Sequence, residues 1–491
     1  MSLGRATHFD VFILSDTRGA DAGALEDAAY REVNRALGGG ISIYYRRRID
    51  NTGRKAGNIK EWVERFGGAY ENFVILDGDS IMSGDTLLRL TLAMQRNPKA
   101  GLIQTVPRLT GGATLLQRLQ QFASNTYGPS VAAGLAFWHR NQGNYWGHNA
   151  IIRTKAFAGA AGLPQLPGPA PFGGHIQSHD FVEAVLLQRA GWGVHMAPSL
   201  AGSFEGTPPS LLEVMIRDRR WAQGNLQHLA LIGAGGLTGM GRVHLAMGAC
   251  SYLVSLVWAL SLGVGVILAL QGQQMIPSYF EDSKTLFPIW PVMDSGAAMR
   301  LFLATIAVVL FPKALGLILE VKRSAQAREL FGMPRAIVGV LIETLLSMLI
   351  APVLMTTQTG AVIEILRGKD SGWSAQRRSG RAMALGAAIR GHWKHAAVGV
   401  TFALVCGHTS PRLLVWMLPV IAGLILAGPV HWLTGRPSGP VLGTLLSTQE
   451  DRERAPILLH AERESEAWRA RLARLSDAEI EADPAETKKA A

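Results

Sequence analysis

The chain has 491 residues and a net charge of +11, from 48 Lys and Arg against 37 Asp and Glu. Much of that positive charge lies in loops between apolar runs rather than on one face, so nucleic acid is excluded as the expected partner. The two cysteines, Cys250 and Cys406, both fall inside apolar runs, which excludes a disulfide framework.

In chain order, Phe9 to Leu14 reads as a buried strand ending in Ser15-Asp16-Thr17. Ile41 to Tyr45 is a second strand, followed by the basic run Arg46 to Arg48. Then come Gly53-Arg54-Lys55-Ala56-Gly57-Asn58 and a helix through Trp62 and Phe66. Phe73 to Leu76 is a third strand and Leu102 to Thr105 a fourth. Strands alternating with helices predict a mostly parallel sheet covered on both faces. Ligands of such sheets bind beyond the carboxyl ends of the strands. Asp16, Lys55, Asp77 and Asp79 all fall at that edge.

The centre of this half is Val74-Ile75-Leu76-Asp77-Gly78-Asp79-Ser80. Side chains of a strand alternate between faces, so two carboxylates one residue apart point the same way. That pair suits a hard cation, which takes one or two carboxylates and leaves positions for substrate phosphate and water. An Asp/Gly turn after a core strand remains the alternative for the pair alone. Asp16 could equally be a turn residue or helix cap, and the Arg46 to Arg48 run a solvated strand end.

Further on, Tyr145-Trp146-Gly147-His148-Asn149-Ala150 precedes a short strand, Ile151-Ile152. Ser178-His179-Asp180 opens a helix that runs to about Arg189. Adjacent residues point in different directions, so these three cannot form a nucleophilic triad. Asp180 is either a helix cap or a general base for a nearby hydroxyl. Glu205-Gly206-Thr207-Pro208-Pro209 leads to a helix carrying Arg217 to Asn225. Arg220 offers a fork for phosphate, and Trp221 a flat face for a sugar ring.

Together and in this order, Asp16, Lys55-Ala56-Gly57-Asn58, Asp77-Gly78-Asp79, Asp180 and Arg217-Asp218-Arg219-Arg220-Trp221 resemble the processive family 2 glycosyltransferases. That group includes cellulose and hyaluronan synthases. Arg217 stands where the wider family has Gln, and this departure, with Tyr145 to Arg153, Ser178 to Ala184 and the run Arg219 to Asn225, resembles the bacterial inner-membrane branch that makes osmoregulated periplasmic glucans. The resemblance implies an α/β nucleotide-sugar-binding (GT-A type) domain followed by an α-helical transmembrane domain. It implies UDP-glucose as donor and a growing glucan chain as acceptor. By carry-over, Asp16 would contact the uracil, Lys55 the uridine diphosphate, Asp77 the nucleotide, and Asp79 a Mg2+ (or Mn2+) ion. Asp180 would deprotonate the acceptor, Arg220 stabilise the leaving diphosphate, and Trp221 stack on the acceptor sugar. The implied reaction is inverting, without a covalent intermediate. In the family, membrane spans and a strand ending in a Pro-x-Tyr-Asn-Glu-like motif precede the strand equivalent to Phe9 to Leu14. Eight residues precede it here, so the chain reads as an N-terminally short copy lacking that strand and one wall of the nucleotide pocket.

The expected domains are therefore residues 1–235, cytoplasmic and catalytic; 236–435, transmembrane helices with interfacial segments; and 436–491, a charged tail. Met1 to Asp10 shows no charged-then-apolar signal pattern. Leu245 to Leu270 is 26 residues without a charge, longer than a bilayer core of ~30 Å requires. A loop with Glu281, Asp282, Lys284 and Asp294 follows, and Leu301 to Leu319 returns, with Lys313 either snorkelling toward the inner face, the favoured reading, or functional. The loops Val321 to Arg335 and Thr359 to Gly391 carry net charges of +3 and +4, so both read as cytoplasmic. Between them, Ala336 to Leu366 either crosses and returns, breaking near Pro352, or lies partly in the interface. Ala396 to Cys406 and Leu413 to Leu433 form a last pair. Gly372 to Arg378 is a candidate gate over the nucleotide, with a basic membrane anchor as the alternative. The tail reads as disordered or loosely helical. The lipid bilayer and a periplasmic glucan-processing protein are the further implied partners. The rivals are another processive β-glycan synthase and a non-catalytic membrane scaffold or export component.

Overall fold

The computed structural model describes residues 8–38, 40–274, 295–329, 331–370 and 383–472. The first half runs β1 (Asp10–Ser15), α1 (Ala20–Leu37), β2 (Ser42–Arg47), α2 (Arg54–Arg65), β3 (Asn72–Ile75), β4 (Ile81–Met82), α3 (Gly84–Arg96) and β5 (Ala100–Thr105). It continues through β6 (Arg108–Leu109), α4 (Leu115–His139), β7 (Ala150–Arg153), α5 (Thr154–Ala160), α6 (His179–Arg189), β8 (Gly193–Ala197), β9 (Ser203–Glu205) and α7 (Leu211–Gln227).

The sheets are mixed, which corrects the expectation of a mostly parallel one. The main sheet has the order β3-β7-β5-β8. β7 enters between β3 and β5 and runs antiparallel to both, whereas β5 and β8 are parallel. Ala150, Ile151 and Ile152 are buried on both faces, so β7 is a core strand and can be nothing else. β1 and β2 pair in parallel as a separate two-stranded sheet. Phe12 ties them to the main core by packing on Trp62 at 5.4 Å, and Trp62 packs on Phe73 at 5.2 Å. β4, β6 and β9 form a third, small sheet that places the end of β9 beside the turn after β3.

The second half comprises α8 (Gly239–Gln274), α9 (Ser295–Gln326), α10 (Gly332–Leu366), α11 (Leu385–Gly391), α12 (Trp393–Thr409), α13 (Pro411–Ile425) and α14 (Ala427–Thr434). Then follow α15 (Gly439–Leu445), α16 (Gln449–Arg452) and α17 (Pro456–Leu472). By length and composition α8, α9 and α10 can each cross a bilayer, and α13 with α14, bent by 58°, would be a fourth span.

Packing separates α10 from the other two. Only 6 % of the most apolar window of α8 or α9 is buried, against 28 % for α10. Gly339 abuts Phe122 of α4, Ile350 and Val353 pack with Leu211 and Val214 of α7, and Glu364 pairs with Arg219 of α7 at 2.6 Å. α10 therefore follows the α/β half over roughly 40 Å, at a rise of about 1.5 Å per residue. It is continuous through Pro352, so it does not cross and return. The residues Glu281 to Asp294 and Gly372 to Arg378 lie outside the described residues, as does the chain beyond 472.

Two further expectations are corrected. Lys313 does not snorkel: its Nζ donates to Glu343 Oε2 at 2.6 Å and to Thr344 Oγ1 at 3.2 Å. Tyr127 of α4 and Ser347 also donate to Glu343, so the buried carboxylate pins three helices together. The described part of the tail is not loose either. Arg118 of α4 pairs with Asp451 at 2.5 Å, and Asn125 of α4 donates to Glu450 at 2.8 Å. Those acidic residues are held by α4 rather than solvated.

Candidate active site

The stretch Lys55-Ala56-Gly57-Asn58 is the first turn and more of α2. Each of its polar residues reaches a different strand end. Asn58 Nδ2 donates to Asp16 Oδ1 at 2.8 Å, and Lys55 Nζ donates to Asp77 Oδ1 and, at 2.9 Å, to Gly147 O. Gly57 has to be glycine: a Cβ there would lie 2.0 Å from Thr52 O. Arg48 clamps Asp16 from the other side with two 2.8 Å bonds, a bidentate pair. The basic run is thus absorbed locally, with Arg46 on Asn58 and Glu61 and Arg47 on Asp27.

Asp77 and Asp79 occupy the turn after β3, closed by Ser80 N donating to Asp77 O at 2.9 Å. Gly206 backs onto Asp79, since a Cβ there would lie 3.8 Å from Asp79 Oδ2. The preceding residue, Glu205 at the end of β9, pairs with His148 at 3.4 Å. Burial pushes the Glu205 carboxyl above its ordinary value; His148 opposes this, and the charges of Asp79 and Asp77 add to it. Glu205 and His148 are site residues that motif reading passed over. The signal for Glu205 was a carboxylate at a strand end, next to a glycine, as at Asp77.

Asp180 stands in the first turn of α6. A Cβ on Gly147 would lie 3.2 Å from Asp180 Oδ2, so Asp180 and Lys55 meet at the same glycine from opposite sides. Behind Asp180, His179 Nδ1 and Glu183 Oε1 are 3.0 Å apart and buried. Burial alone would lower the His179 pKa, but the Glu183 charge and hydrogen bond, helped by Asp180, raise it. Tyr145 is fully buried beneath the site, and burial followed by Glu183, Asp180 and Asp77 holds its phenol protonated. Ser178-His179-Asp180 form no triad: the histidine serves Glu183.

Arg220 and Trp221 lie on α7, N-capped by Ser210. Gly224 lets this helix touch the start of α6, where a Cβ would come within 2.6 Å of Ser178 N. Asn225 Nδ2 reaches Ser178 Oγ at 3.5 Å and His228 Nε2 meets Ser178 O at 3.1 Å. The Trp221 helix is thereby fixed against the Asp180 helix. Trp221 is 49 % exposed, and the Arg217 guanidinium lies 4.4 Å over its ring. Arg220 is shifted down, by burial first and then by the charges of Arg217 and Arg54. Arg54, Arg217 and Arg220 together make a basic cluster suited to a polyanion.

The donor chemistry of this edge fits a hard cation. Asp79 and Glu205 offer carboxylate oxygens while Asp77 is held by Lys55, and among the described residues no group of three or more His, Cys, Asp or Glu is placed to hold a metal ion. Such a partial set suits Mg2+, which takes few protein carboxylates and completes its shell with phosphate and water.

Residues 72–311 match the model of glycosyl transferase family group 2. Several curated relatives carry the name glucans biosynthesis glucosyltransferase H. The protein from Rhodopseudomonas palustris strain CGA009 is 49 % identical over 435 residues, covering 89 % of this chain and 60 % of its own length. That from Shewanella sp. strain ANA-3 is 46 % identical over 96 % of this chain and 65 % of its own. The protein from Bradyrhizobium diazoefficiens is 46 % identical over 93 % of this chain and 61 % of its own. The resemblance read from the motifs therefore holds across nearly the whole chain, and the matched region is a family 2 glycosyltransferase domain. The chain spans 60–65 % of the length of these relatives.

Proposed function

We propose that this chain transfers glucose from UDP-glucose to a growing glucan at the inner membrane of a bacterium, with the catalytic domain in the cytoplasm. The observation that carries this reading is the meeting of Lys55, Asp77 and Asp180 around Gly147. We read Lys55 as the diphosphate-binding cation, Asp77 as the nucleotide-side carboxylate and Asp180 as the base, all within one substrate's reach.

In this reading Asp180 takes the proton from an acceptor hydroxyl while that oxygen attacks the anomeric carbon. The bond from that carbon to the diphosphate oxygen breaks, with inversion. Arg220 and Lys55 meet the charge that grows on the leaving diphosphate. Mg2+ held by Asp79, when bound, would supply further charge neutralisation at the diphosphate. Asp16, already oriented by Arg48 and Asn58, presents its carboxylate toward the uracil. Trp221 offers its open face to the acceptor sugar, the other face being covered by Arg217. The product is periplasmic glucan, and the helices beneath α7 line its way out, where a periplasmic glucan-processing protein receives it.

The test is calorimetric titration of the purified chain with UDP-glucose and Mg2+. Binding that weakens in Lys55→Ala supports the reading. A chain that binds no UDP-glucose, with its secondary structure intact, leaves the scaffold reading in its place.

A further inference from the structure

A cavity of about 490 Å3 opens where α4, the start of α10 and the α15–α16 turn meet. Arg118, Arg335, Arg452 and Arg454 line it, with the hydroxyls of Thr444 and Ser447 between them. It lies apart from the candidate active site and shares no residue with it.

The charges around this cavity do not balance. Arg118 pairs with Asp451 at 2.5 Å, and Arg454 with Glu462 at 2.9 Å. Arg323, Arg335 and Arg452 share Glu320 and Glu329. The cavity wall itself carries four guanidiniums and a single carboxylate, that of Asp451. Arg452 feels the crowding: burial and then the Arg335 charge push it below its ordinary value.

The cavity also has an apolar border. Phe331 is 74 % exposed, Met333 54 % and Val441 70 %. Outside the wall itself, Phe331 and Met333 stand four and two residues before Arg335, and Val441 follows the wall residue Pro440. A soluble anion would make no use of that border. A phospholipid would, because its phosphate carries one negative charge and its chains are apolar.

We propose that this cavity binds the headgroup of an anionic phospholipid, with the acyl chains laid along Phe331, Met333 and Val441. Arginine forks suit a phosphodiester. The headgroup would also brace α4, whose first turn holds the loop after Glu205: Thr114 Oγ1 donates to Pro209 O and Gln117 Nε2 to Thr207 O, both at 2.8 Å.

The test is native mass spectrometry of the full chain in neutral detergent, titrated with dioleoyl phosphatidylglycerol, with phosphatidylcholine as the control. One phosphatidylglycerol should be retained in preference to phosphatidylcholine. The double variant Arg454→Ala/Thr444→Val should lower that affinity about tenfold, the loss of one charge-assisted hydrogen bond. It spares Arg335 and Arg452, whose replacement could unfold the Glu320–Glu329 network. Equal retention of both lipids, or an unchanged affinity in the double variant, would overturn the proposal. Inorganic phosphate that displaces the lipid completely would assign the cavity to a soluble anion and overturn it too. Lipid retention is read without sugar transfer, so the result is independent of the proposed activity.

Discussion

The strand-end edge of the site and its helical floor are held in different ways. Asp16, Lys55, Asp77 and Asp79 sit on turns of the soluble half and are oriented by Arg48, Asn58 and Ser80 of that same half. Asp180, Arg220 and Trp221 sit on α6 and α7, and α7 rests on the apolar helices. Ala222 and Leu226 pack against Tyr252 of α8 and against Val362 and Ile365 of α10. Asp218 accepts from Gln358 at 3.0 Å, and Gln223 donates to Asp370 at 2.9 Å. The strand-end edge is thus self-contained, whereas the helical floor is built on the apolar helices. If the chain acts as proposed, transfer and export share one scaffold, because the helix that carries Trp221 is the one fastened to the apolar helices.

Substitutions on the two sides should separate accordingly. The largest effect is expected from Asp180→Asn. Removing a general base lowers turnover by 10²–10⁴-fold on the usual scale, here about 10³-fold, with UDP-glucose binding unchanged by calorimetry. Lys55→Ala should do the reverse, weakening UDP-glucose by roughly 10- to 100-fold through loss of charge-assisted bonds. Trp221→Ala should cost about tenfold in apparent acceptor affinity, with the donor KM unmoved. If Trp221→Ala weakened UDP-glucose as much as Lys55→Ala, the division between edge and floor would be broken.

The smallest effect concerns pH. The His179 pKa is raised in the folded chain, so its pair with Glu183 contributes stability that is full below the ordinary histidine value and fades as pH rises through the folded value. His179→Asn should therefore lower the melting temperature more near pH 6 than near pH 9. An equal drop at both would mean that the ring acts by packing alone.

What was legible in the chain were the places where one residue type serves one chemistry. Carboxylates after apolar strands and the Lys55 to Asn58 run stood out because strand ends and helix starts are local. The direction of β7 did not, since it depends on which gap in the sheet is open when the chain returns from α4. The role of α10 was hidden for a similar reason: hydropathy reports length and composition but not the partner. Glu343 could have given it away, because a carboxylate inside an apolar run needs a cation, and Lys313 is that cation. Arg217 stacked on Trp221 was legible only as i,i+4 spacing, which does not say that the ring face is covered.

The most direct test of the central claim is incorporation of radiolabelled glucose from UDP-glucose into polymer by membranes containing this chain, beside Asp180→Asn in the same membranes. The account predicts Mg2+-dependent polymer from the chain and none from the variant, although both bind UDP-glucose. Polymer made equally by both would contradict the role of Asp180. No polymer from a correctly inserted chain would contradict glucosyl transfer by the chain itself.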